Sequence, residues 1–163
     1  PEEDAALAVK ACRYPPEGIR GFGPRRPINY GRISDAEYCQ RANKEIISIA
    51  QIEHIDAVNV MEEIVKVPGL TAIVIGANDL AGSMDHMGNP GHPEVQSAIE
   101  TVVNIARKAG IFPGIGLADD PEGLMEWINK GVQWVQTGVD WAHLARSVDT
   151  SVGRLRKYIA ENS

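Results

Sequence analysis

The chain has 163 residues, 44% of them hydrophobic and 23% charged, which is the size and balance of one globular domain. Sixteen basic against 22 acidic side chains leave a net charge of −6, which argues against a general nucleic-acid or anionic-membrane partner. No apolar run approaches the roughly 18 residues of a membrane span, and the two cysteines, Cys12 and Cys39, make neither a disulfide framework nor a zinc quartet. A soluble, cytoplasmic protein with reduced thiols is therefore expected. The sequence opens at Pro1 on what reads as a helix already under way, as a start inside a larger fold would.

Glu2 to Cys12 has Ala, Leu and Val at helical spacing behind an acidic first turn, which suits the helix dipole. Tyr14-Pro15-Pro16 ends that helix, and Gly18 to Gly31 reads as a loop carrying Arg20, Arg25 and Arg26. Ser34, with Glu37 three residues on, has the form of a capping box for a helix through Asn43. Ile46 to Ile52 is an apolar, β-branched run with the character of a fully buried strand. Asp56 to Val65 reads as a helix stopped by Pro68-Gly69, and Thr71 to Ile75 as a second buried strand. A glycine-rich loop leads to Pro93, which starts a helix through Ala109 with Gly110 as its cap. Ile111 to Leu117 is a third strand, Pro121 to Lys130 a helix capped by Gly131, Trp134 to Thr137 a fourth strand, and Ala142 to Ile159 a final helix.

Four alternations of strand and helix predict an α/β fold with a parallel sheet and right-handed crossovers. The absence of repeats or linkers makes residues 1–163 a single domain. Four strands by count favour a small doubly wound sheet, since a whole eight-stranded barrel needs about 250 residues, but the periodicity leaves half a barrel open.

In either parallel fold, chemistry belongs at the carboxyl ends of the strands. Those ends are Gln51-Ile52-Glu53-His54, Gly76-Ala77-Asn78-Asp79, residues 114–119 and Gly138-Val139-Asp140. Glu53 and Asp79 lie about one βα unit apart, so their strands should be neighbours. Two carboxylates on one rim repel unless a cation lies between them, and an oxygen-only pair suits a hard ion such as Mg²⁺ or Mn²⁺. The plainer alternative has one carboxylate at a helix cap and the other in solvent. The six lysines all fall in helices, at helix ends or at a strand entry, which argues against an imine mechanism.

Other features are less directive. The segments 21–24 and 76–79 could cradle an anion with backbone amides, although neither is a P-loop or a dinucleotide fingerprint. Arg20, Arg25 and Arg26 suit either an anion or an ordinary solvated loop. The spacing of His86 and His92 makes no helical metal face, so polar loop or capping roles are expected, and Trp127, Trp134 and Trp141 read as core or interface.

Five strings in register carry a family resemblance: Arg13-Tyr14-Pro15-Pro16-x-Gly18-x-Arg20-Gly21, Gln51-Ile52-Glu53, Ile75-Gly76-x-x-Asp79-Leu80, Met87 through Val95 (MGNPGHPEV), and Gly138-Val139-Asp140. Together they resemble the HpcH/HpaI family of metal-dependent pyruvate aldolases. The resemblance implies a (β/α)₈ TIM barrel of which this chain supplies the C-terminal half, strands five to eight with their helices, the N-terminal half lying outside it. It implies Glu53 and Asp79 as ligands of a divalent ion (Mg, Mn or Co), Gln51 beside a bound oxo acid, and the Gly76 to Asp79 turn, Asn78 included, around the substrate carboxylate.

The implied reaction is reversible retro-aldol cleavage of a 4-hydroxy-2-oxo acid to pyruvate and an aldehyde. The family's substrate-clamping arginine and proton-transfer histidine have no match here, so no catalytic acid or base is assigned within the chain, and His54 does not take that place. Ala77 and Asn78 stand where many relatives have Pro and Ala, and Trp141 stands where smaller residues are usual. Relatives pack as hexamers through the last helix, which implies a homo-oligomer with Ala142 to Ile159 at an interface. A citryl- or malyl-CoA lyase of the same superfamily and a half-barrel that binds or scaffolds without catalysis are the competing readings.

Overall fold

The computed structural model describes residues 2–117 and 120–162. The first helix, α1 (Glu2–Cys12), ends before the Pro15-Pro16 pair, as its sequence predicts. A short 3₁₀ turn (Arg26–Ile28) breaks the arginine loop, and α2 (Asp35–Glu45) starts on Ser34, whose hydroxyl accepts the Glu37 amide at 3.3 Å. The loop is anchored by Asn43, a buried amide. It accepts the Tyr14 amide at 2.7 Å and donates to the Tyr14 carbonyl at 2.9 Å, so both polar ends of the side chain are satisfied inside a small Tyr14, Ile28, Tyr38 cluster.

The strands β1 (Ile49–Ile52), β2 (Ala72–Ile75), β3 (Phe112–Gly116) and β4 (Trp134–Gln136) form one parallel sheet in the order β1-β2-β3-β4. This order corrects the doubly wound arrangement that the strand count favours. A doubly wound sheet reverses direction at a switch point, whereas here every crossover advances to the next position. Right-handed crossovers that always advance in one direction place their helices on one face.

The register separates the two faces residue by residue. Ala50, Ile73 and Pro113 form one row, and Ile52, Ile75, Ile115 and Val135 another, on the face turned to the helices. Against it lies α6 (Pro93–Lys108), whose buried Val95, Ala98, Ile99, Val102, Val103 and Ala106 recur at helical spacing. Burying each large aliphatic side chain contributes about 1.5–3 kcal/mol before entropic costs. This helix begins on Pro93 and ends as expected, with Gly110 at φ 77° and the Ile111 amide returning to the Ala106 carbonyl at 2.9 Å.

The other face carries Ile49, Ala72 and Phe112 in one row and Gln51, Val74, Gly114 and Trp134 in the next. This face is open, for Ile49 is 47% and Phe112 50% exposed. The apolar run 46–52 is therefore not a fully buried strand. Only 49–52 is strand, Ile46 caps α2, and alternate residues face outward.

Two further differences concern helices. The stretch 56–65 is split at Val60 into α3 (Ile55–Asn59) and α4 (Met61–Ile64). The loop after β2 contains α5 (Ala77–Ser83), too short and too rich in small and polar residues to announce itself by periodicity. The chain ends in α7 (Pro121–Asn129), between β3 and β4, and α8 (Asp140–Asn162), a 23-residue helix with no buried residue. Among the described residues, no helix is long and apolar enough to cross a membrane.

Candidate functional site

The rim at the carboxyl ends of β1 and β2 gathers the residues that the strand-end rule singles out. Gln51 lies within β1 on the open face, and Glu53 follows one residue after the strand ends. Gln51 Nε2 donates to Glu53 Oε2 at 2.5 Å, so the carboxylate is held by a neighbour from its own strand and still has acceptor capacity left. Both side chains are exposed.

Gly76 follows β2, and its lack of a side chain is what leaves this pair room. A Cβ there would stand 3.0 Å from Glu53 Cβ and 3.1 Å from Gln51 Nε2. Gly76 is also the N-cap of α5, which places Ala77, Asn78 and Asp79 in the first helical turn. Amides of a first turn have no intrahelical carbonyl to bond, and an acidic residue there is favoured by the helix dipole. Asn78 and Asp79 are both exposed.

The loops after β1 and β2 are pinned together. Ser83, the last residue of α5, accepts the Ile55 amide at 3.0 Å and donates to the Leu80 carbonyl at 2.8 Å. That hydroxyl ties the start of α3 to the end of α5 and so fixes the two acid-bearing segments side by side. His54 is used locally as the N-cap of α3, its Nδ1 accepting the Asp56 amide at 3.2 Å.

The open face continues below and beside the rim. A cavity of about 400 Å³ is lined by Gln51, Gly76, Gly116, Trp134 and Gln136, among others. Trp134 packs directly against Gly114, where an added Cβ would fall within the indole, and its Nε1 donates to the Phe112 carbonyl at 3.2 Å. Gln136 comes up against Gly116 on the same face, with its Oε1 3.0 Å from where a Cβ would be. Gln136 is not among the sequence-derived site candidates. The available signal was its place two residues after Trp134 in a strand, which puts it on the same face as Gln51.

The remaining sequence candidates fall elsewhere. The Arg20 guanidinium sits over the Tyr14 ring at 4.7 Å, and Arg25 Nη1 donates to the Pro24 carbonyl at 3.4 Å. Trp127 is buried in the core, whereas Trp141 is 70% exposed on α8. None of Lys10, Lys44, Lys66, Lys108, Lys130 and Lys157 lies in a strand. His92 is the N-cap of α6, as expected of a capping residue. Of the segment 114–119, residues 118 and 119 lie outside the described residues.

The donors at the rim are carboxylate and amide oxygens, the chemistry of a hard divalent ion, and the missing Cβ of Gly76 makes the room that the Glu53 and Gln51 side chains occupy. Fold and rim together define an α/β protein with a carboxylate site at the ends of adjacent parallel strands. The chain belongs to the HpcH/HpaI aldolase/citrate lyase family, whose profile matches residues 1–147.

It is 43% identical over 120 residues to a 4-hydroxy-2-oxo-heptane-1,7-dioate aldolase of Klebsiella pneumoniae, covering 72% of this chain and 44% of that protein. It is 42% identical over 113 residues to a 4-hydroxy-2-oxovalerate aldolase of Rhodococcus jostii, covering 69% of this chain and 43% of that one. The chain thus spans less than half the length of these relatives. A crystal structure of an HpcH/HpaI aldolase/citrate lyase family protein from Burkholderia cenocepacia superposes with a TM-score of 0.85 at 30% identity, over 95% of this chain and 61% of that one.

Proposed function

We propose that this chain carries the metal-ligand half of a carbon–carbon lyase that reversibly cleaves a 4-hydroxy-2-oxo acid to pyruvate and an aldehyde. The names of its relatives support the reaction class. The observation that carries the assignment is the rim itself, where Gln51 is bonded to Glu53 beside Gly76, with Asp79 in the following first turn. In this reading the sheet is the last four strands of an eight-stranded barrel and residues 1–163 are one part of that domain. The open face, with its glutamines, glycines and Trp134, is then barrel interior.

Glu53 and Asp79 would hold a divalent ion, Mg²⁺, Mn²⁺ or Co²⁺, which supplies Lewis acidity toward the keto oxygen of the substrate. Gln51 orients the Glu53 carboxylate through its amide and presents its remaining N–H toward the oxo acid. The free amides of the first turn of α5, around Asn78, receive the substrate carboxylate. None of these groups is assigned as the proton carrier.

Trp141, Leu144, Val148, Val152, Leu155 and Ile159 recur every three or four residues along α8, and all are exposed. A stripe of this kind is covered in solution by another surface, and a neighbouring subunit of a homo-oligomer is the proposed cover.

The test uses the full-length protein with a 4-hydroxy-2-oxo acid and Mg²⁺, Mn²⁺ or Co²⁺. Pyruvate release is expected with metal and is expected to be lost in Glu53→Gln and in Asp79→Asn. Undiminished release in either variant would remove the ligand assignment. Cleavage of a CoA thioester instead of the oxo acid would move the protein to the CoA-lyase reading.

A further inference from the structure

The loop between α5 and α6 brings together three side chains that the rim does not use. Among the described residues, His86, His92 and Glu94 form a group of three potential metal ligands whose donor atoms all lie within 4.8 Å of one another. His86 Nε2 is 2.9 Å from Glu94 Oε2, and the His86 and His92 rings stack at 3.5 Å between centroids, 19° from parallel. The two histidines are half-buried, and Glu94 is exposed on the solvent side.

We propose that His86, His92 and Glu94 form a second cation site, selective for a borderline transition-metal ion such as Zn²⁺ and separate from the hard-ion rim at Glu53 and Asp79. Two imidazoles and a carboxylate are a donor set that Mg²⁺ does not favour and Zn²⁺ does. Two atoms binding one ion at about 2.1 Å stand about 3.0–3.4 Å apart, depending on coordination geometry. The His86 to Glu94 separation of 2.9 Å is close to that spacing, with a proton now where the ion would be. The Glu94 carboxyl is held below its ordinary range, first by the hydrogen bond from His86 and then by the charges of His86 and His92, so it is ionised and ready to ligate.

Completing the site requires one local change. Imidazole lone pairs lie in the ring plane, so two stacked rings point in near-parallel planes and His92 must turn for both to meet one ion. Its Nδ1 now accepts the Glu94 amide at 3.3 Å, a long capping bond that is given up or exchanged as the ring turns. Binding would release a proton from the His86–Glu94 pair and pin residues 86–92 to the head of α6. Solvent supplies the remaining coordination positions on the open side.

Calorimetry of Zn²⁺ into the Glu53→Gln/Asp79→Asn double variant tests this site apart from the rim, and the wild-type chain titrated in excess Mg²⁺ is the parallel measurement. One Zn²⁺ per chain is expected, with His86 and His92 ring-nitrogen resonances shifting in histidine-selective NMR while those of His54 and His143 stay in place. His86→Gln and Glu94→Gln are each expected to weaken Zn²⁺ binding at least about tenfold. His92→Asn, which keeps a good N-cap, separates loss of the ligand from loss of the helix start. Absence of Zn²⁺ binding in both titrations, unchanged affinity in His86→Gln, or shifts confined to His54 and His143 would overturn the proposal.

Discussion

Gly76→Ala tests whether the Gln51–Glu53 pair is a working part of the rim, because it disturbs the pair without altering a ligand. The backbone at Gly76 has φ −92° and ψ 82°, a negative φ open to L-residues, so the new methyl acts through its volume. It would stand 3.0 Å from Glu53 Cβ, 3.1 Å from Gln51 Nε2 and 3.2 Å from Glu53 Oε2. Carbon contacts are comfortable at about 3.5–4.0 Å, so the Glu53 side chain must retreat by several tenths of an ångström. That is about the 0.5 Å within which a preorganised site must be held. The hydrogen bond at risk involves a charged group, a class contributing about 1.5–3 kcal/mol. Losing about 1–2 kcal/mol corresponds to about 5–30-fold weaker ion binding. Both side chains are exposed and can move into solvent, so the fold itself should lose less than about 1 kcal/mol. Mn²⁺ titration followed by calorimetry, with thermal unfolding alongside, reads the two effects separately. Mn²⁺ affinity equal to wild type, or an affinity loss no larger than the loss of folded protein, would refute the placement of Glu53 as a ligand.

Gly114→Ala differs, because its Cβ would enter the Trp134 indole, a rigid ring over the sheet rather than a flexible tip. Overpacking of this kind costs about 1–3 kcal/mol, which should appear as a lowered Tm with a change in Trp fluorescence as the indole leaves the sheet. Leu144→Asp with Leu155→Asp, both on the exposed stripe of α8, should lower the assembly mass in light scattering while leaving the circular dichroism of the sheet unchanged. The Glu94 carboxyl titrates below its ordinary 4.5, so its contribution is full above pH 4.5 and is lost as pH falls through the depressed value. Glu94→Gln should therefore lower stability slightly at neutral pH, leave it unchanged at low pH, and so flatten the acid limb of the curve, as judged by urea unfolding across pH.

Much of the fold was legible because its signals are local. Pro15-Pro16, Ser34, Pro93, Gly110 and Gly131 start or stop elements by backbone chemistry that acts within a few residues. The helix Pro93–Lys108 carries a clear helical periodicity, and Ala72–Ile75 is a short apolar, β-branched run bounded by Pro68-Gly69 and Gly76. Strand order belongs to the tertiary fold and lies beyond periodicity and strand count, so the choice against a doubly wound sheet rested on the family resemblance alone. The misreading of 46–52 has the same origin. Ile49 is as apolar as a core residue yet exposed, because whether a sheet face is covered does not depend on the hydropathy of its own strand, and exposed Ile47 precedes the strand. The helix α5 was hidden by its small and polar residues, and the grouping of His86 with Glu94 by a loop that folds back onto the head of α6.

The rim residues stand out in the sequence by their position at strand ends, and the register shows what surrounds them. Residues toward the helices are exchangeable aliphatics whose task is volume. The open face mixes apolar Ile49, Ala72, Val74, Phe112 and Trp134 with Gln51, Gly114, Gly116 and Gln136, and the latter four are residues that a strand does not ordinarily favour. Glycine and glutamine at alternating positions weaken a strand, so their presence needs a second reason. The structure supplies it as space, since Gly76 clears the Gln51–Glu53 pair and Gly114 clears Trp134. Under the proposed function, local stability is surrendered on the face that would meet a ligand and kept on the face that meets helices. The same departure recurs at Gly116 and Gln136, which places Gln136 on the face that carries Gln51.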